Sequence, residues 1–187
     1  MIVLSFQLTQ EDLYQFNNYT SWTAPENRKK RLKYYLRNSL SGVVLIIFFL
    51  LFTEKINMPK LLLLAGLFFL ILFISIPYWI KRHYRKYVKA FCTNPENSSF
   101  FEPLELTINE TGILMKDNSS TSTYLWSAFI RKVETENYLY LYLNSILGVI
   151  IPKKSFESQK QKEDFDNLLL MYFPLQADLN SINNKEI

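Results

Sequence analysis

An intrachain disulfide is impossible in this chain, because Cys92 is its single cysteine. A secreted scaffold held together by disulfides is therefore excluded, and a reducing compartment is expected. His83 is the single histidine, so neither a histidine- and cysteine-based zinc site nor a Cys/His nucleophile pair is predicted. Glycine-rich phosphate loops and the G-x-S-x-G and H-E-x-x-H motifs are also missing. These absences predict a protein with no enzymatic activity, no metal site and no cofactor.

Two stretches of the chain lack acidic and basic side chains. The stretch 61–80 contains twenty residues without one acidic or basic side chain, which is about the length that a helix needs to cross ~30 Å of hydrocarbon. The stretch 40–52 is shorter, and a crossing there has to include Asn38, Ser39 and Thr53. Buried helices of a globular core are the alternative, but soluble helices of this length normally have a polar face. We therefore predict transmembrane helices at about 38–54 and 61–80. Ion transport is not expected, because neither apolar stretch, 40–52 or 61–80, carries a charged side chain.

The basic residues gather on the outer sides of these two stretches. The first cluster contains Arg28, Lys29, Lys30, Arg31, Lys33 and Arg37, and the second contains Lys81, Arg82, Arg85, Lys86 and Lys89. Flanking cations favour the cytoplasm, and an even number of crossings places both clusters there. The sequence therefore predicts a multi-pass protein of the cell membrane, a two-helix hairpin with both termini in the cytoplasm. The net charge of +4 is accounted for by these clusters, so no nucleic-acid partner is predicted.

The same cations are candidate contacts for anionic membrane lipids. Each lysine or arginine near an anionic surface is worth about 1 kcal/mol of attraction. The candidates are Arg28, Lys29, Lys30, Arg31, Lys81, Arg82, Arg85 and Lys86. The effect of these cations on membrane topology would by itself explain their presence. Specific lipid binding and a purely topological role therefore both stay open.

Short strands are predicted outside the membrane segments. Alternating apolar residues over 2–8 predict a strand, followed by a helix with a Thr9/Asp12 capping box. Six further strands are predicted at 104–108, 113–115, 123–126, 129–134, 138–143 and 146–151, with turns at 109–112 and 117–120. A Ser158/Gln161 capping box begins a C-terminal helix, which Pro174 ends.

These patterns predict a membrane protein of α+β class, in which a cytoplasmic antiparallel β module is closed by the C-terminal helix. The expected segments are an N-terminal strand and helix at 1–27, a basic segment at 28–39, the hairpin at 40–80, a basic helix extension and linker at 81–99, the β-rich domain at 100–175 and a tail at 176–187. If strand 2–8 joins the later sheet, the hairpin is an insertion within one cytoplasmic domain.

The strand 138–143 carries tyrosines on one face and leucines on the other. Tyr138, Tyr140 and Tyr142 alternate with Leu139, Leu141 and Leu143. One face has to be core. The tyrosine face is either covered by the N-terminal helix or is a partner-binding surface rich in aromatic side chains.

Several short segments carry a family resemblance. These are Leu8-Thr9-Gln10-Glu11-Asp12 after the opening strand, the paired apolar stretches, Tyr124-Leu125-Trp126, and Ile150-Ile151-Pro152-Lys153-Lys154-Ser155-Phe156 before the last helix. In these features the chain resembles the YcxB-like family of bacterial membrane proteins over nearly its whole length. The resemblance implies a two-helix anchor with a cytoplasmic β-rich domain that is pleckstrin-homology-like in outline. It implies no established reaction.

The functional expectation is a membrane-anchored cytoplasmic interaction module that contacts membrane lipids and binds a protein or a second copy of itself. The alternative is a lipid or small-ligand sensor that uses a pocket between sheet and helix in the β-rich domain.

Overall fold

The computed structural model describes residues 1–51 and 58–173. Within them the chain is of α+β class and divides into two compact units. We call residues 1–16 together with the chain from 88 onward the β unit, and residues 17–87 the helical unit. Residues 52–57, which include the end of the first predicted crossing, lie outside the described residues. The predicted helix stop at Pro174 and the predicted tail at 176–187 also lie outside them.

The β unit contains seven described strands in two antiparallel sheets. The first sheet has the order β1 (Ile2–Gln7), β2 (Pro103–Ile108), β3 (Gly112–Lys116) and β4 (Thr121–Leu125). The second has the order β5 (Arg131–Glu134), β6 (Tyr138–Tyr142) and β7 (Gly148–Pro152). All seven predicted strands are present, and no strand end differs from the prediction by more than two residues.

The N-terminal strand pairs with β2, which confirms that it joins the later sheet. Leu4 lies opposite Leu106, and Ile2 lies opposite Ile108. All four side chains are buried in the shared core. Because β1 and β2 are neighbours in one sheet, residues 8–102 form a long insertion between two adjacent strands.

The turn after β2 requires a glycine. Gly112 has a φ of 155°, and a Cβ atom there would collide with the carbonyl oxygen of Tyr124. The Asn109 side-chain oxygen accepts hydrogen bonds from the backbone N–H groups of Thr111 and Gly112 at 2.9 and 3.2 Å. The turn predicted at 109–112 is therefore confirmed.

A corner at Trp126 separates the two sheets, whereas the sequence predicted one antiparallel β module without such a division. A short 3-10 turn, Trp126–Ala128, begins at the last residue of the predicted strand 123–126. The buried indole of Trp126 donates a hydrogen bond to the Asn109 carbonyl oxygen at 3.0 Å, which fixes the corner. Strand propensity alone did not reveal this contact between residues 17 positions apart.

A C-terminal helix, α4 (Gln159–Tyr172), buries Phe165 and Leu169 in the core of the β unit. The predicted N-cap is confirmed, because the Ser158 hydroxyl accepts from the Gln161 N–H at 3.1 Å. The Gln161 side-chain oxygen accepts at 2.8 Å from the N–H of Glu157, one residue before the cap, and not from that of Ser158. The helix thus closes the two sheets as predicted.

The first helix, α1 (Gln10–Asn18), begins at the predicted capping box. The Asp12 carboxylate accepts hydrogen bonds from the Thr9 N–H and hydroxyl at 2.7 Å each. A π-helical turn, Tyr19–Thr23, and a 3-10 turn, Pro25–Asn27, follow.

Two longer helices dominate the helical unit: α2 (Arg28–Leu51) and α3 (Met58–Thr93). Within the described part of the chain, α3 alone is long and apolar enough to cross a membrane. It also continues beyond residue 80, so the predicted basic extension is helical. The helix α2 begins with polar and basic residues, and the end of the predicted first crossing lies outside the described residues. The structure therefore supports one candidate membrane span.

Small residues bring α2 and α3 together. A Cβ atom at Gly42 would collide with Leu72, and the ring centroids of Tyr35 and Phe73 lie 5.4 Å apart. Ser39 and Ala65 are buried, as expected for residues that allow close helix packing, whereas Gly66 has no neighbour on its Cβ side.

Candidate functional site

The tyrosine face of β6 lies under the N-terminal helix. Phe16 of α1 packs against Tyr140 and Tyr142, with ring centroids 5.2 and 5.5 Å apart. Leu139 and Leu141 fill the core on the other face of the strand. Tyr140 and Tyr142 are almost fully buried, so in this fold they stabilise the β unit and are not presented to a partner.

Tyr138, at the start of β6, is only partly buried and makes a polar contact with α1. Its hydroxyl donates a hydrogen bond to the Asp12 carboxylate at 2.8 Å. Burial and this hydrogen bond raise the pKa of Tyr138, so the phenol stays protonated and remains a donor. The Asp12 carboxylate thus accepts hydrogen bonds both at the start of α1 and from Tyr138 at the start of β6. The sequence showed only its capping role, because Tyr138 is 126 positions away.

Seven of the eight predicted lipid-contact cations are exposed. Those seven are Arg28, Lys29, Lys30, Lys81, Arg82, Arg85 and Lys86. Arg31 is half-buried, and its guanidinium donates to the backbone carbonyl oxygens of Trp22 and Ala24. Arg31 therefore holds the turn before α2 in place.

A cleft of about 500 Å³ lies within the helical unit, between α2 and α3. Leu72, Ile76 and Ile80 supply its apolar part. The remaining lining is aromatic or polar: Trp22, Tyr34, Asn38, Ser75, Trp79, His83 and Tyr84. The cleft was not predicted, because Trp22 reaches it through the π-helical turn, which sequence periodicity does not reveal.

Contacts within the helical unit fix the indole of Trp22 at this cleft. Its ring meets Tyr34 edge-on, with centroids 5.4 Å apart, and Arg31 binds its backbone carbonyl oxygen. The Asn27 side-chain amide donates to the Thr20 carbonyl oxygen at 3.0 Å, which further closes the turn. The cleft is therefore preorganised by side-chain contacts as well as by helix packing.

A second, shallower groove of about 450 Å³ lies in the β unit, between the start of β1 and the start of α4. The Gln161 side-chain amide donates to the Val3 carbonyl oxygen at 3.0 Å beside it. Charged and polar residues from α4, including Lys160 and Asp164, line the groove with Ser5. This groove lies between a strand and a helix of the β unit.

The hairpin between β6 and β7 presents apolar side chains to solvent. Ile146 is 66% exposed and Leu147 is 59% exposed. The Asn144 side-chain oxygen accepts from both backbone N–H groups at 2.9 and 2.8 Å, which fixes the turn. Ile130, also exposed, donates its N–H to the Tyr142 carbonyl oxygen at the same end of the sheet. We call Ile130, Ile146 and Leu147 the hairpin tip.

The single thiol is in an environment that disfavours reactivity. Burial raises the pKa of Cys92, which lowers the fraction of nucleophilic thiolate. In the described ranges, no group of three or more histidine, cysteine, aspartate or glutamate side chains is placed to hold a metal ion.

Comparison with known proteins gives one family match. The model of the YcxB-like protein family matches residues 108–169, from the end of β2 into α4. No curated protein and no solved structure matches the chain. The resemblance inferred from the sequence is confirmed over this segment, whereas the N-terminal segment and the apolar stretches lie outside the match. Residues 108–169 of this chain are therefore similar to the YcxB-like protein family.

Proposed function

We propose that this chain is a membrane-anchored interaction module without catalytic activity. The observation that carries the proposal is the apolar surface of α3, where Leu63 is 73% exposed and Ile74 is 72% exposed. Exposing such surface to water is unfavourable by roughly 25 cal/mol per Å². A lipid bilayer removes it from water.

We further propose that α2 is the second crossing of a hairpin. Its residues Val44, Leu45 and Phe48 are exposed and apolar, and the helix packs directly on α3. The basic residues at the start of α2 and after residue 80 of α3 lie on the outer sides of the two apolar segments. Such a distribution favours placing both chain ends in the cytoplasm.

The β unit would then be the cytoplasmic part of the molecule. Two antiparallel sheets followed by a C-terminal helix support the pleckstrin-homology-like outline that the family resemblance implies. Such a scaffold can hold a binding surface on its loops, because the sheets fix the loop ends.

The hairpin tip is the best-supported protein-binding surface of this unit. Apolar side chains on a rigid turn lose little conformational entropy when a partner covers them. The proposed partner is another protein or a second copy of the chain.

Site-specific crosslinking tests this interaction. A photoreactive amino acid at Ile146 is expected to give one discrete adduct of higher mass in intact cells. The matched control is the same amino acid at Leu170, which is also exposed and apolar but lies on α4. An adduct of twice the chain mass indicates a second copy, and any other discrete mass indicates a different protein. Equal labelling at both positions, or no adduct at Ile146, contradicts the proposal.

The groove between β1 and α4 favours a second candidate function, a lipid or small-ligand sensor. Its polar lining and size suit a hydrophilic molecule or head group. Ligand-dependent protection of Gln161 from hydrogen exchange would favour this alternative over protein binding.

A further inference from the structure

The cleft between α2 and α3 has an unequal distribution of polar groups along α3. The aliphatic residues Leu72, Ile76 and Ile80 line it together with Ser75, and two polar ring side chains, His83 and Tyr84, follow three helical turns after Leu72, which gives an overall gradient of polarity. If α3 crosses the bilayer as proposed, this gradient runs from the hydrocarbon region towards the cytoplasmic head groups. A ligand that fills the cleft therefore has an apolar part and a polar part.

The polar end of the cleft offers hydrogen-bond donors. The indole N–H groups of Trp22 and Trp79, the phenol of Tyr84 and the imidazole of His83 can each donate to an oxygen atom. Phosphate and ester oxygens of a glycerophospholipid are acceptors, so the chemistry matches.

Positive charge continues the lining beyond this end. In α3, Lys86 follows Trp79 by seven residues and therefore lies on nearly the same helix face. In α2, Lys30 precedes Tyr34 by four residues and is likewise on the face of the cleft. Both lysines are exposed, and their charges favour an anionic head group over a zwitterionic one.

We propose that this cleft binds one anionic phospholipid from the bilayer. The head-group phosphate lies at the end marked by His83 and Lys86, and an acyl chain lies along Leu72 and Ile76. The volume of about 500 Å³ is within the usual range for ligand sites, and it accommodates the head group and part of one chain. This inference rests on the proposed membrane anchor.

Native mass spectrometry of the detergent-solubilised full chain tests the proposal. Titration with phosphatidylglycerol is expected to populate a one-lipid complex at lower concentration than titration with phosphatidylcholine. The Ser75→Trp variant fills the cleft, and we expect it to weaken phosphatidylglycerol binding by about tenfold. The control Ile74→Trp adds the same side chain on the neighbouring helix face, outside the cleft, and leaves binding unchanged.

A matched pair of lysine variants tests the charge contribution. Lys86→Gln is expected to weaken phosphatidylglycerol binding about fivefold and to leave phosphatidylcholine binding unchanged. Lys81→Gln removes the same charge from the same cluster, but this residue lies on the face away from the cleft, so a smaller effect is expected. Circular dichroism verifies that each variant retains its helices.

The outcomes separate this inference from the membrane anchor. Carbonate extraction of cell membranes first reports whether the chain is integral. A chain that resists extraction but binds both lipids equally, or whose binding is unaffected by Ser75→Trp, overturns the lipid site alone. A chain released by carbonate overturns the anchor and the lipid site together.

Discussion

Removing residues 1–8 is expected to unfold most of the β unit. The deletion takes away β1 together with the buried side chains of Ile2, Leu4 and Leu8, and it exposes the pairing edge of β2. Replacing one buried leucine by alanine already costs about 3 kcal/mol, whereas a whole domain is stable by only about 5–15 kcal/mol. Hydrogen exchange of the β6 backbone amides in the detergent-solubilised chain measures the loss of stability. Because β6 belongs to the other sheet, faster exchange there shows that the whole β unit is destabilised and not only the sheet that contains β1.

A pair of point variants tests whether the deletion acts through the loss of buried side chains and not through the shortening of the chain. Leu4→Ala is expected to lower the free energy of unfolding of the β unit by about 3 kcal/mol. Val3→Ala, one residue away on the exposed side of the strand, is expected to change it by less than about 0.5 kcal/mol. Unchanged protection of β6 after the deletion would show that β1 is not an integral strand of this unit.

The second large loss of stability is expected when Tyr140 is replaced. Tyr140→Ser removes a buried ring that packs against Phe16, and truncations of this kind cost about 3–5 kcal/mol. The matched control is Tyr172→Ser at the exposed end of α4, for which a change under about 0.5 kcal/mol is expected.

A double-mutant cycle tests whether α1 covers this face. Combining Tyr140→Ser with Phe16→Ala should give a coupling of about 1 kcal/mol, measured by hydrogen exchange or chemical unfolding. A stable Tyr140→Ser variant, with no coupling to Phe16, would mean that the tyrosine face is open to solvent.

The strands and helix starts were predictable because their signals are local. Alternation located β1 and β6, and the capping residues Thr9 and Ser158 located two helix starts. The division into two sheets was not predictable. At the corner between the sheets the Trp126 indole donates to the distant Asn109 carbonyl group, and strand periodicity does not encode such a contact.

In the candidate sites, too, local features were predictable from the sequence and contacts between distant residues were not. The basic clusters were visible in the sequence as charge next to apolar stretches, but the structural use of Arg31 was not, because its acceptors are backbone carbonyl groups. The cleft brings Trp22 into one lining with residues of α3, the first of which is Leu72. The tyrosine face left two alternatives open, since an alternating pattern does not tell which element covers each face.

The most direct test of the proposed anchor is the location of the two chain ends. Reporter fusions that are active only in the cytoplasm, or only outside it, can be joined to residue 1 and to residue 187 of the full chain. We expect both ends to report the cytoplasm, and a marker placed between α2 and α3 to report the opposite side of the membrane. Ends on opposite sides, or a chain that remains in buffer without detergent, would contradict the two-helix hairpin.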